Sequence, residues 1–433
     1  MEGELKTGTI LTSESGTKYK VVSLLGAGGQ GEVYDVDASG KHYALKWYFK
    51  NSATSSQKKL LEVSIAKGAP DETFLWPLEL VVPPKSDVFG YIMDLRPQNY
   101  KSIVDLMTRK AEPTFYALCR TAFNTAKSYQ KLHAIGARYQ DISFGNLFFD
   151  PSNGDVLICD NDNVAFDTAN PGSILGTPGF MAPEIVMRKK KPSRNTDLYS
   201  LAVLLFYLFM VHHPLDGKLE ADIKCLDMAA RERLYGEHPV FIFDPNDHSN
   251  RPVRGYQDNP LIYWPIYPEK LREMFTYSFT DGLTKANKRI TEPQWMDAIA
   301  NMMSGMMQCP KCGARIFYDE DLEKQGVGHI CWNCQGSISV PVKLKVGKNT
   351  VLLNKNTRIM RHHIYGDYDM DTPVGSVVQN PKNPDLWGIR NEDKVNWTYE
   401  KADGTQIPIE VGRSAGIAPG VKIHFTDEIG VFN

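Results

Sequence analysis

Asp141 and Asn146 are the residues whose types and spacing first indicate chemistry. They lie five positions apart in Arg138-Tyr139-Gln140-Asp141-Ile142-Ser143-Phe144-Gly145-Asn146-Leu147. A carboxylate can take the proton of an attacking hydroxyl, and an amide oxygen can hold a metal ion on phosphate groups, so this pair suits phosphoryl transfer. The stretch follows a predicted helix over 115–132 and precedes an apolar run, which predicts a loop.

A second acidic segment, Asp160-Asn161-Asp162-Asn163, follows the apolar run 156–159. Asp160 comes directly after this predicted strand, so it is the favoured second metal ligand. Asp162 is the alternative ligand. An acidic turn that binds no metal is the third interpretation.

A glycine-rich segment, Gly26-Ala27-Gly28-Gly29-Gln30-Gly31-Glu32-Val33, follows a predicted strand over 19–25. The pattern G-x-G-x-x-G also occurs in dinucleotide-binding turns, but such a turn opens a helix. Here the segments 32–36 and 42–49 are both strand-like, so the loop joins two antiparallel strands. Bare glycine backbone in such a loop can fold closely over phosphates.

Three further segments would complete a nucleotide site. Lys46 lies on the third predicted strand and is expected to contact phosphates, with a solvated strand lysine as the alternative. Glu62 is the only acid of a predicted helix over 55–67, so it is the expected carboxylate partner of Lys46 unless it is a surface glutamate. Met93-Asp94-Leu95 ends an apolar run and predicts the hinge behind an adenine base.

The chain as a whole has 433 residues, which predicts two or three domains. Its formal net charge of -2 gives no reason to expect a nucleic-acid partner. The opening Met1-Glu2-Gly3-Glu4 does not resemble a signal peptide, and the longest apolar stretch, 201–211, is shorter than the roughly 20 residues of a membrane span. We therefore expect a cytoplasmic protein without a membrane segment.

The region after residue 175 is predicted to be largely helical. A loop rich in glycine and proline, 176–184, leads to a helix over 201–210 that is apolar on all sides and so belongs inside a helical lobe. Asp197 is expected to cap that helix. Arg289 is expected to form a buried ion pair with Glu184.

Taken in order, these motifs make residues 19 to about 300 resemble a protein kinase domain of the eukaryotic type. The resemblance implies ATP and Mg²⁺ as ligands and a protein serine or threonine as acceptor, with Thr177 typical of the serine/threonine-specific form. The implied catalytic residues are Asp141, Lys46, Glu62, Asn146 and Asp160. Asp141 would be the base, Lys46 would contact the α- and β-phosphates, and Asn146 and Asp160 would hold Mg²⁺. The implied nucleotide-binding residues are Gly26, Ala27, Gly28, Gly29, Gln30, Gly31, Val33, Ala44, Lys46, Met93, Asp94 and Leu95.

Three positions depart from the family pattern. Gln140 replaces an arginine, Ser143 replaces a lysine, and Asp160-Asn161-Asp162 replaces Asp-Phe-Gly. Loss of one charge contact can cost a factor of about 10² in rate, so a nucleotide-binding pseudokinase scaffold is the rival interpretation. Since Gln140 has no charge for a loop phosphate to neutralise, the hydroxyls of Thr168 and Ser173 are expected to be dispensable for activity.

Four of the seven cysteines form a metal-binding pattern. Cys309, Cys312, Cys331 and Cys334 are spaced C-x₂-C-x₁₈-C-x₂-C. Four thiolates complete a tetrahedral zinc site with no open position, so we expect a structural Zn²⁺ rather than free buried thiols. The pattern resembles a zinc ribbon.

The last part of the chain is predicted to be all β. The predicted strands span 357–365, 375–379, 386–390, 396–400, 407–411 and 421–425. They predict a small β-sandwich that resembles a forkhead-associated domain but lacks the family's phosphothreonine-reading motifs. The tandem resembles the bacterial kinases of tellurite-resistance-associated phosphorylation systems, which implies a metal-dependent phosphatase and a von Willebrand type A protein as partners.

The predicted fold class is therefore a multidomain α+β protein with a bilobal kinase fold, a zinc ribbon and a β-sandwich. The predicted ranges are 1–300 for the kinase domain, about 15–96 for its N-lobe, about 97–300 for its C-lobe, 305–340 for the ribbon and 343–433 for the sandwich.

Overall fold

The computed structural model describes residues 3–84, 86–166 and 175–433. They form two compact units: one runs up to Trp264 and includes Glu273–Met296, and the other combines Pro265–Arg272 with Asp297–Asn433. Thr168 and Ser173 lie outside the described residues. Within the described ranges, no helix combines the length and the apolar character needed to cross a membrane.

The first unit begins with a six-stranded antiparallel sheet. Its strands are β1 Ile10–Thr12, β2 Lys18–Ala27, β3 Gly31–Ala38, β4 Lys41–Tyr48, β5 Glu79–Val81 and β6 Gly90–Asp94, in the order β1-β2-β3-β4-β6-β5. Successive side chains of a strand face opposite sides. Leu45 belongs to the core on one side, whereas Ala44 and Tyr48 pack with Leu61 of helix α1 (Ser55–Lys67) on the other. Lys46 therefore points to the side that α1 covers.

Five short strands follow and position the two acidic segments. They are β7 Lys101–Ser102, β8 Ala137–Arg138, β9 Leu147–Phe149, β10 Val156–Ile158 and β11 Ala165–Phe166. β9 pairs with β10 and β7, and β8 pairs with β11. Asp141 and Asn146 lie between β8 and β9, and Asp160 and Asp162 lie between β10 and β11. These pairings bring the two segments side by side.

Helices account for most of the remaining chain of the first unit. After α1, the helices are α2 Ile103–Met107, α3 Phe115–Ala134, α4 Pro183–Val186, α5 Arg194–Met210, α6 Lys218–Ala221, α7 Met228–Glu232, α8 Asp258–Tyr263, α9 Glu269–Ser278, α10 Asp281–Thr284 and α11 Glu292–Ser304. Two further helices, α12 Glu320–Lys324 and α13 Arg361–Tyr365, belong to the second unit. Almost the whole of α5 is buried, as its apolar sequence predicts. Its N-cap is Ser193, which forms a capping box with Thr196, so the prediction that Asp197 caps the helix is wrong.

The second unit contains two small hairpins and two larger sheets. The hairpins pair β12 Met306–Gln308 with β13 Arg315–Phe317, and β14 His329–Ile330 with β15 Ser337–Ile338. The later strands are β16 Lys343–Val346, β17 Asn349–Leu352, β18 Arg358–Met360, β19 Pro373–Asn380, β20 Asn383–Asn391, β21 Trp397–Glu400, β22 Gln406–Ile409, β23 Ser414–Gly416, β24 Lys422–His424 and β25 Ile429–Phe432.

These later strands form a six-stranded sheet, β17-β16-β25-β24-β21-β22, and a four-stranded sheet, β18-β19-β20-β23. Leu344 and Ile423 of the larger sheet share one apolar core with Ile359 and Ile389 of the smaller sheet. The chain is thus a multidomain α+β protein with a β-rich C-terminal region. The predicted strand over 357–365 is correct only for β18, because α13 begins directly after it.

A buried ionic cluster joins three helices of the first unit. The Nδ1 of His133 in α3 is hydrogen-bonded to the Glu292 carboxylate of α11, and its Nε2 lies 3.1 Å from Oδ2 of Asp197 in α5. Arg194 Nη2 donates to the second oxygen of Glu292 at 3.0 Å. Although burial alone would lower it, the two carboxylates raise the pKa of His133 to about 9, and the pKa of Glu292 falls to about 2 because His133 and Arg194 outweigh its burial.

These pKa shifts predict a pH window for stability. The His133 contribution is complete below its ordinary pKa of about 6.5 and disappears as the pH rises through about 9. The Glu292 contribution is complete above its ordinary pKa of about 4.5 and disappears as the pH falls through about 2. We expect the melting temperature of the wild type to fall between pH 6.5 and 9 more steeply than that of His133→Gln, measured by calorimetry at constant ionic strength.

The matched control is His248→Gln, which changes an exposed histidine of the same unit. It should keep the wild-type slope. Equal slopes in the wild type and His133→Gln would contradict the assignment of a charged His133.

Candidate active site and cysteine cluster

The backbone of the loop between β8 and β9 is held by Asp197. Its carboxylate accepts hydrogen bonds from the Tyr139 amide at 2.7 Å and from the Gln140 amide at 3.1 Å. Gln140 has φ 70°, a left-handed conformation that costs free energy for a non-glycine residue. The two hydrogen bonds from backbone amides to the buried Asp197 carboxylate compensate for this strain. They also fix the backbone just before Asp141 and so the direction of its side chain.

Asp141 is surrounded by groups that orient its carboxylate. Thr177 Oγ1 donates to its Oδ1 at 2.6 Å, and Asn146 Nδ2 donates to its backbone oxygen at 2.9 Å and to its Oδ2 at 3.4 Å. Burial, assisted by the negative charge of Asp160, raises the pKa of Asp141 even though the hydrogen bonds from Thr177 and Asn146 oppose the shift. A carboxylate with a raised pKa is a better proton acceptor, as a general base requires.

Asp160 lies next to this group, at the end of β10. Its backbone is left-handed, with φ 50° and ψ 46°, and its side chain is 42% exposed. Since Asn146 uses its Nδ2 for Asp141, its Oδ1 is the atom that can bind a cation. A carboxylate and an amide oxygen are hard oxygen donors of the kind that Mg²⁺ takes in nucleotide sites, so this donor set fits the ion that the fold family implies.

Lys46 is almost completely buried, and three side chains of the described residues place an oxygen within 3.3 Å of its Nζ. Its Nζ lies 3.2 Å from Asp160 Oδ1, 2.9 Å from Asp162 Oδ2 and 3.3 Å from Gln30 Oε1. Burial alone would lower the pKa of Lys46, but the carboxylates of Asp162 and Asp160 outweigh it and the pKa is raised. The lysine is therefore charged and can attract a phosphate.

The glycine-rich loop covers Lys46 through Gln30. Gln30 Nε2 also donates to Asn163 Oδ1 at 3.4 Å, and the Gly28 amide donates to the Gly31 oxygen at 2.8 Å. A Cβ at Gly31 would lie 2.1 Å from the Trp47 oxygen, so β3 and β4 can approach each other here only with glycine. A Cβ at Gly26, Gly28 or Gly29 would meet no described atom within 4 Å, so these backbones remain open to a ligand.

The predicted adenine side of the site is apolar. Ala44 of β4 pairs with Met93 of β6, and both belong to a core cluster against which Val33 and Leu95 pack. Asp94 is exposed, and its Oδ1 lies 3.7 Å from Nζ of Lys41.

Glu62 is not brought to Lys46. Its side chain is half exposed and its Oε1 lies 3.8 Å from Nζ of Lys58, one helical turn earlier. The buried residues of α1 are Leu61 and Ser64, and Glu62 lies about 100° around the helix from Leu61. The prediction that Glu62 pairs with Lys46 is therefore wrong, because helix α1 presents a different face to the sheet.

Two residues of the Lys46 environment were missed by sequence reasoning. Gln57 Nε2 donates to the Asp162 backbone oxygen at 2.7 Å and to the Tyr48 hydroxyl at 3.3 Å. The Tyr48 hydroxyl in turn donates to the Asp162 carboxylate. Gln57 lies four residues before Leu61, so helical spacing could have placed it on the inward face. For Tyr48, the sequence indicated only which side of β4 it faces and not its contact with Asp162.

The expected pair of Arg289 and Glu184 is confirmed. Arg289 Nη1 and Nη2 donate to the two Glu184 oxygens at 2.8 Å and 2.9 Å. A bidentate contact of this kind fixes the segment after the Thr177 loop to the helical core.

The four cysteines of the second unit form one cluster. The Sγ atoms of Cys309, Cys312, Cys331 and Cys334 all lie within 4.8 Å of one another. Cys309 and Cys312 follow β12, and Cys331 and Cys334 follow β14, so each hairpin supplies one pair. The backbone amide of Ala314 lowers the pKa of Cys312 to about 6, which favours a thiolate at this position. Although the Gly336 amide opposes the shift, burial and the neighbouring thiols raise the pKa of Cys334 to about 11, so the first proton is lost from Cys312.

Comparison with known proteins agrees with this geometry. The family described as "Protein kinase domain" matches residues 19–254, more than half of the chain. The chain therefore belongs to the protein kinase domain family.

Curated relatives at modest identity carry the same class of name. A cell cycle serine/threonine-protein kinase of Saccharomyces cerevisiae is 27% identical over 237 residues, which are 52% of this chain and 33% of that protein. A probable serine/threonine-protein kinase of Zea mays is 27% identical over 49% of this chain and 34% of its own length. A CBL-interacting protein kinase of Oryza sativa subsp. japonica is 26% identical over 58% of this chain and 55% of its own length. The chain thus spans between a third and about half of the length of these relatives.

Proposed function

We propose that this chain transfers the γ-phosphate of ATP to serine or threonine hydroxyls of a protein substrate. The observation that carries the proposal is the joint placement of Asp141, Asn146, Asp160 and a charged Lys46 around one site. Family membership and the names of the relatives support the same reaction.

The roles follow from the positions of the groups. Asp141 accepts the proton of the substrate hydroxyl, whose oxygen bonds to the γ-phosphorus while the bond to the β–γ bridging oxygen breaks and ADP leaves. Lys46 and the open backbone of 26–31 bind the phosphates, and Val33, Ala44 and 93–95 bind the base. Asn146 and Asp160 would hold Mg²⁺, which neutralises phosphate charge when it is bound.

A pseudokinase scaffold is the second candidate. Two observations favour it. Gln30 Oε1 accepts a hydrogen bond from Lys46 Nζ at 3.3 Å, and Ser143 provides no positive charge beside Asp141. Against it, Asp141 keeps two orienting donors and a raised pKa, which a scaffold has no use for.

A substitution that removes only the proton acceptor separates the two candidates. Asp141→Asn should lower phosphate transfer from radiolabelled ATP to a generic protein substrate by about 10³-fold, because proton transfer by a positioned base contributes that order of rate. Nucleotide binding, followed by calorimetry, should change little because Asp141 faces the acceptor.

The matched control is Asp87→Asn, which removes an exposed carboxylate paired with Lys50 on the surface. It should transfer phosphate at the wild-type rate. A wild type that is as inactive as Asp141→Asn with Mg²⁺ and with Mn²⁺ would establish the scaffold instead.

For the second unit, we propose a structural Zn²⁺ held by the four cysteines. The support is a set of four Sγ atoms at mutual distances suited to one tetrahedral ion, presented by two hairpins as in a zinc ribbon. A closed site of four thiolates does no chemistry, so the ion stabilises the fold.

The remaining proposals concern the organisation and setting of the chain. We propose a kinase domain over 1–300, a ribbon over 305–340 and a forkhead-associated-like β-sandwich over 343–433. The shared core of the two C-terminal sheets supports the sandwich. We also propose a cytoplasmic location, because the longest apolar stretch, 201–211, is shorter than a membrane span. A metal-dependent phosphatase and a von Willebrand type A protein as partners are proposed from the sequence resemblance.

The zinc proposal is tested by elemental analysis of protein that has been purified without a chelator. The wild type should contain one zinc per chain, and Cys309→Ser should lose most of it and lower the melting temperature of the second unit. Cys225→Ser, which changes an exposed cysteine of the first unit, is the control and should keep the metal. A wild type that contains less than about a tenth of an equivalent of metal per chain would contradict a structural zinc site.

A further inference from the structure

Lys46 depends on carboxylates because its ammonium group is buried. A buried charge without a partner is strongly unfavourable, and a lysine that binds phosphate must also keep its position while the ligand enters and leaves. Among the residues that the structure describes, the oxygens within 3.3 Å of its Nζ belong to Gln30, Asp160 and Asp162. They differ in whether they can stay when nucleotide is bound.

Gln30 and Asp160 face the space that the nucleotide needs. Gln30 belongs to the glycine-rich loop, and the Asp160 side chain is 42% exposed and offers its oxygens to a cation. The Asp162 side chain is 0% exposed. Asp162 is thus the partner that neither solvent nor ligand can reach.

Asp162 is itself held from two elements. A short 3-10 helix, Asn161–Asn163, turns it back toward β4, where the Tyr48 hydroxyl donates to its carboxylate. Gln57 of α1 donates to its backbone oxygen at 2.7 Å. Within the described part of the chain its Oδ1 has no hydrogen-bond partner, so the Tyr48 and Lys46 contacts to Oδ2 provide its compensation.

Helix α1 offers no competing carboxylate on this face. Glu62 is the only acid in Ser55–Lys67, and its side chain is half exposed and paired with Lys58. The residue of α1 that reaches the site is Gln57, which carries no charge and contacts Asp162 rather than Lys46.

We propose that Asp162 is the positioning residue that anchors Lys46 in place of a carboxylate from α1. The inference rests on the proposed phosphate transfer. Because Asp162 and Asp160 belong to one short segment, the lysine anchor and the metal ligand are placed together. Helix α1 then acts on the lysine indirectly, through the Gln57 hydrogen bonds to the Asp162 backbone and to the Tyr48 hydroxyl, and not through a carboxylate of its own.

The rate arm of the test compares Asp162→Asn with Glu62→Gln in the full-length protein. Asp162→Asn should lower kcat for phosphate transfer by about 10²-fold, because a lysine without its buried partner loses its position on the phosphates. Glu62→Gln should retain the wild-type kcat. A large loss in Glu62→Gln, or a wild-type kcat in Asp162→Asn, would overturn the inference while leaving the proposed transfer intact.

The stability arm does not depend on activity. Asp162→Asn should lower the melting temperature of the first unit by about 5 °C, since it leaves a buried ammonium short of a carboxylate. In a Lys46→Met background the same substitution should cost much less, because there is no charge left to anchor, whereas Glu62→Gln should be silent in both backgrounds. Equal shifts for Asp162→Asn in the two backgrounds would refute the anchor, and an inactive wild type with the expected coupling would refute only the transfer.

If Asp162→Asn does not fold, Tyr48→Phe replaces it. This variant keeps both charges and removes only the hydroxyl that orients the Asp162 carboxylate. It should lower kcat several-fold, because the carboxylate that holds the Lys46 amine is no longer oriented. An unchanged kcat in Tyr48→Phe would overturn the anchor.

Discussion

The arrangement of the first unit depends on keeping the ammonium of Lys46 charged in a place from which water is excluded. The desolvation of such an ion costs several kcal/mol, and removal of one partner from a buried pair typically costs about 3–5 kcal/mol. The protein therefore has to supply carboxylates within reach, and the structure supplies Asp160 and Asp162 from one turn after β10. Their left-handed and 3-10 backbone is the local conformation that directs both side chains to the same amine.

A second buried carboxylate solves the corresponding problem for the other acidic segment. Asp197 accepts two amide hydrogen bonds from the loop that presents Asp141, and it also contacts the imidazole of His133. The strained φ of Gln140 persists because these bonds over-determine the loop. Asp141, the proposed base, is thus oriented from the helical core, and Lys46 is oriented from the sheet side, with Asp160 between them.

Much of this could be predicted from sequence, because a glycine loop, a strand lysine and two loop acids are the groups that phosphate binding and transfer require, and their order along the chain resembles that of protein kinases. The sheet, the buried helix over 201–210 and the pair of Arg289 and Glu184 follow from periodicity and from complementary charge. The partner of Lys46 could not be predicted in the same way. Glu62 is the only acid of its helix, yet the inward face is decided by how Leu61 and Ser64 pack, and a shift of one residue turns a side chain by about 100°.

The later strands show the same limit. Alternating residues at 396–400 and 407–411 predict strands, and the structure contains them as β21 and β22. The segment 357–365 is predicted as one strand, but it is divided between β18 and the helix α13. The helix begins at Arg361, where the His363 ring accepts the hydrogen bond of the Met360 amide at 2.9 Å. A side-chain cap by histidine has no strong sequence signature, so the pattern alone could not locate this boundary.

A crystal structure of the protein with Mg²⁺ and a non-hydrolysable ATP analogue tests the central claim most directly. The account predicts that Lys46 Nζ binds the phosphates and stays within about 3.5 Å of the Asp162 carboxylate, the range of a charge-assisted contact, while Asp160 turns to the metal and Glu62 remains in solvent. A complex in which α1 has moved to place Glu62 against Lys46, with Asp162 released from the amine, would contradict it.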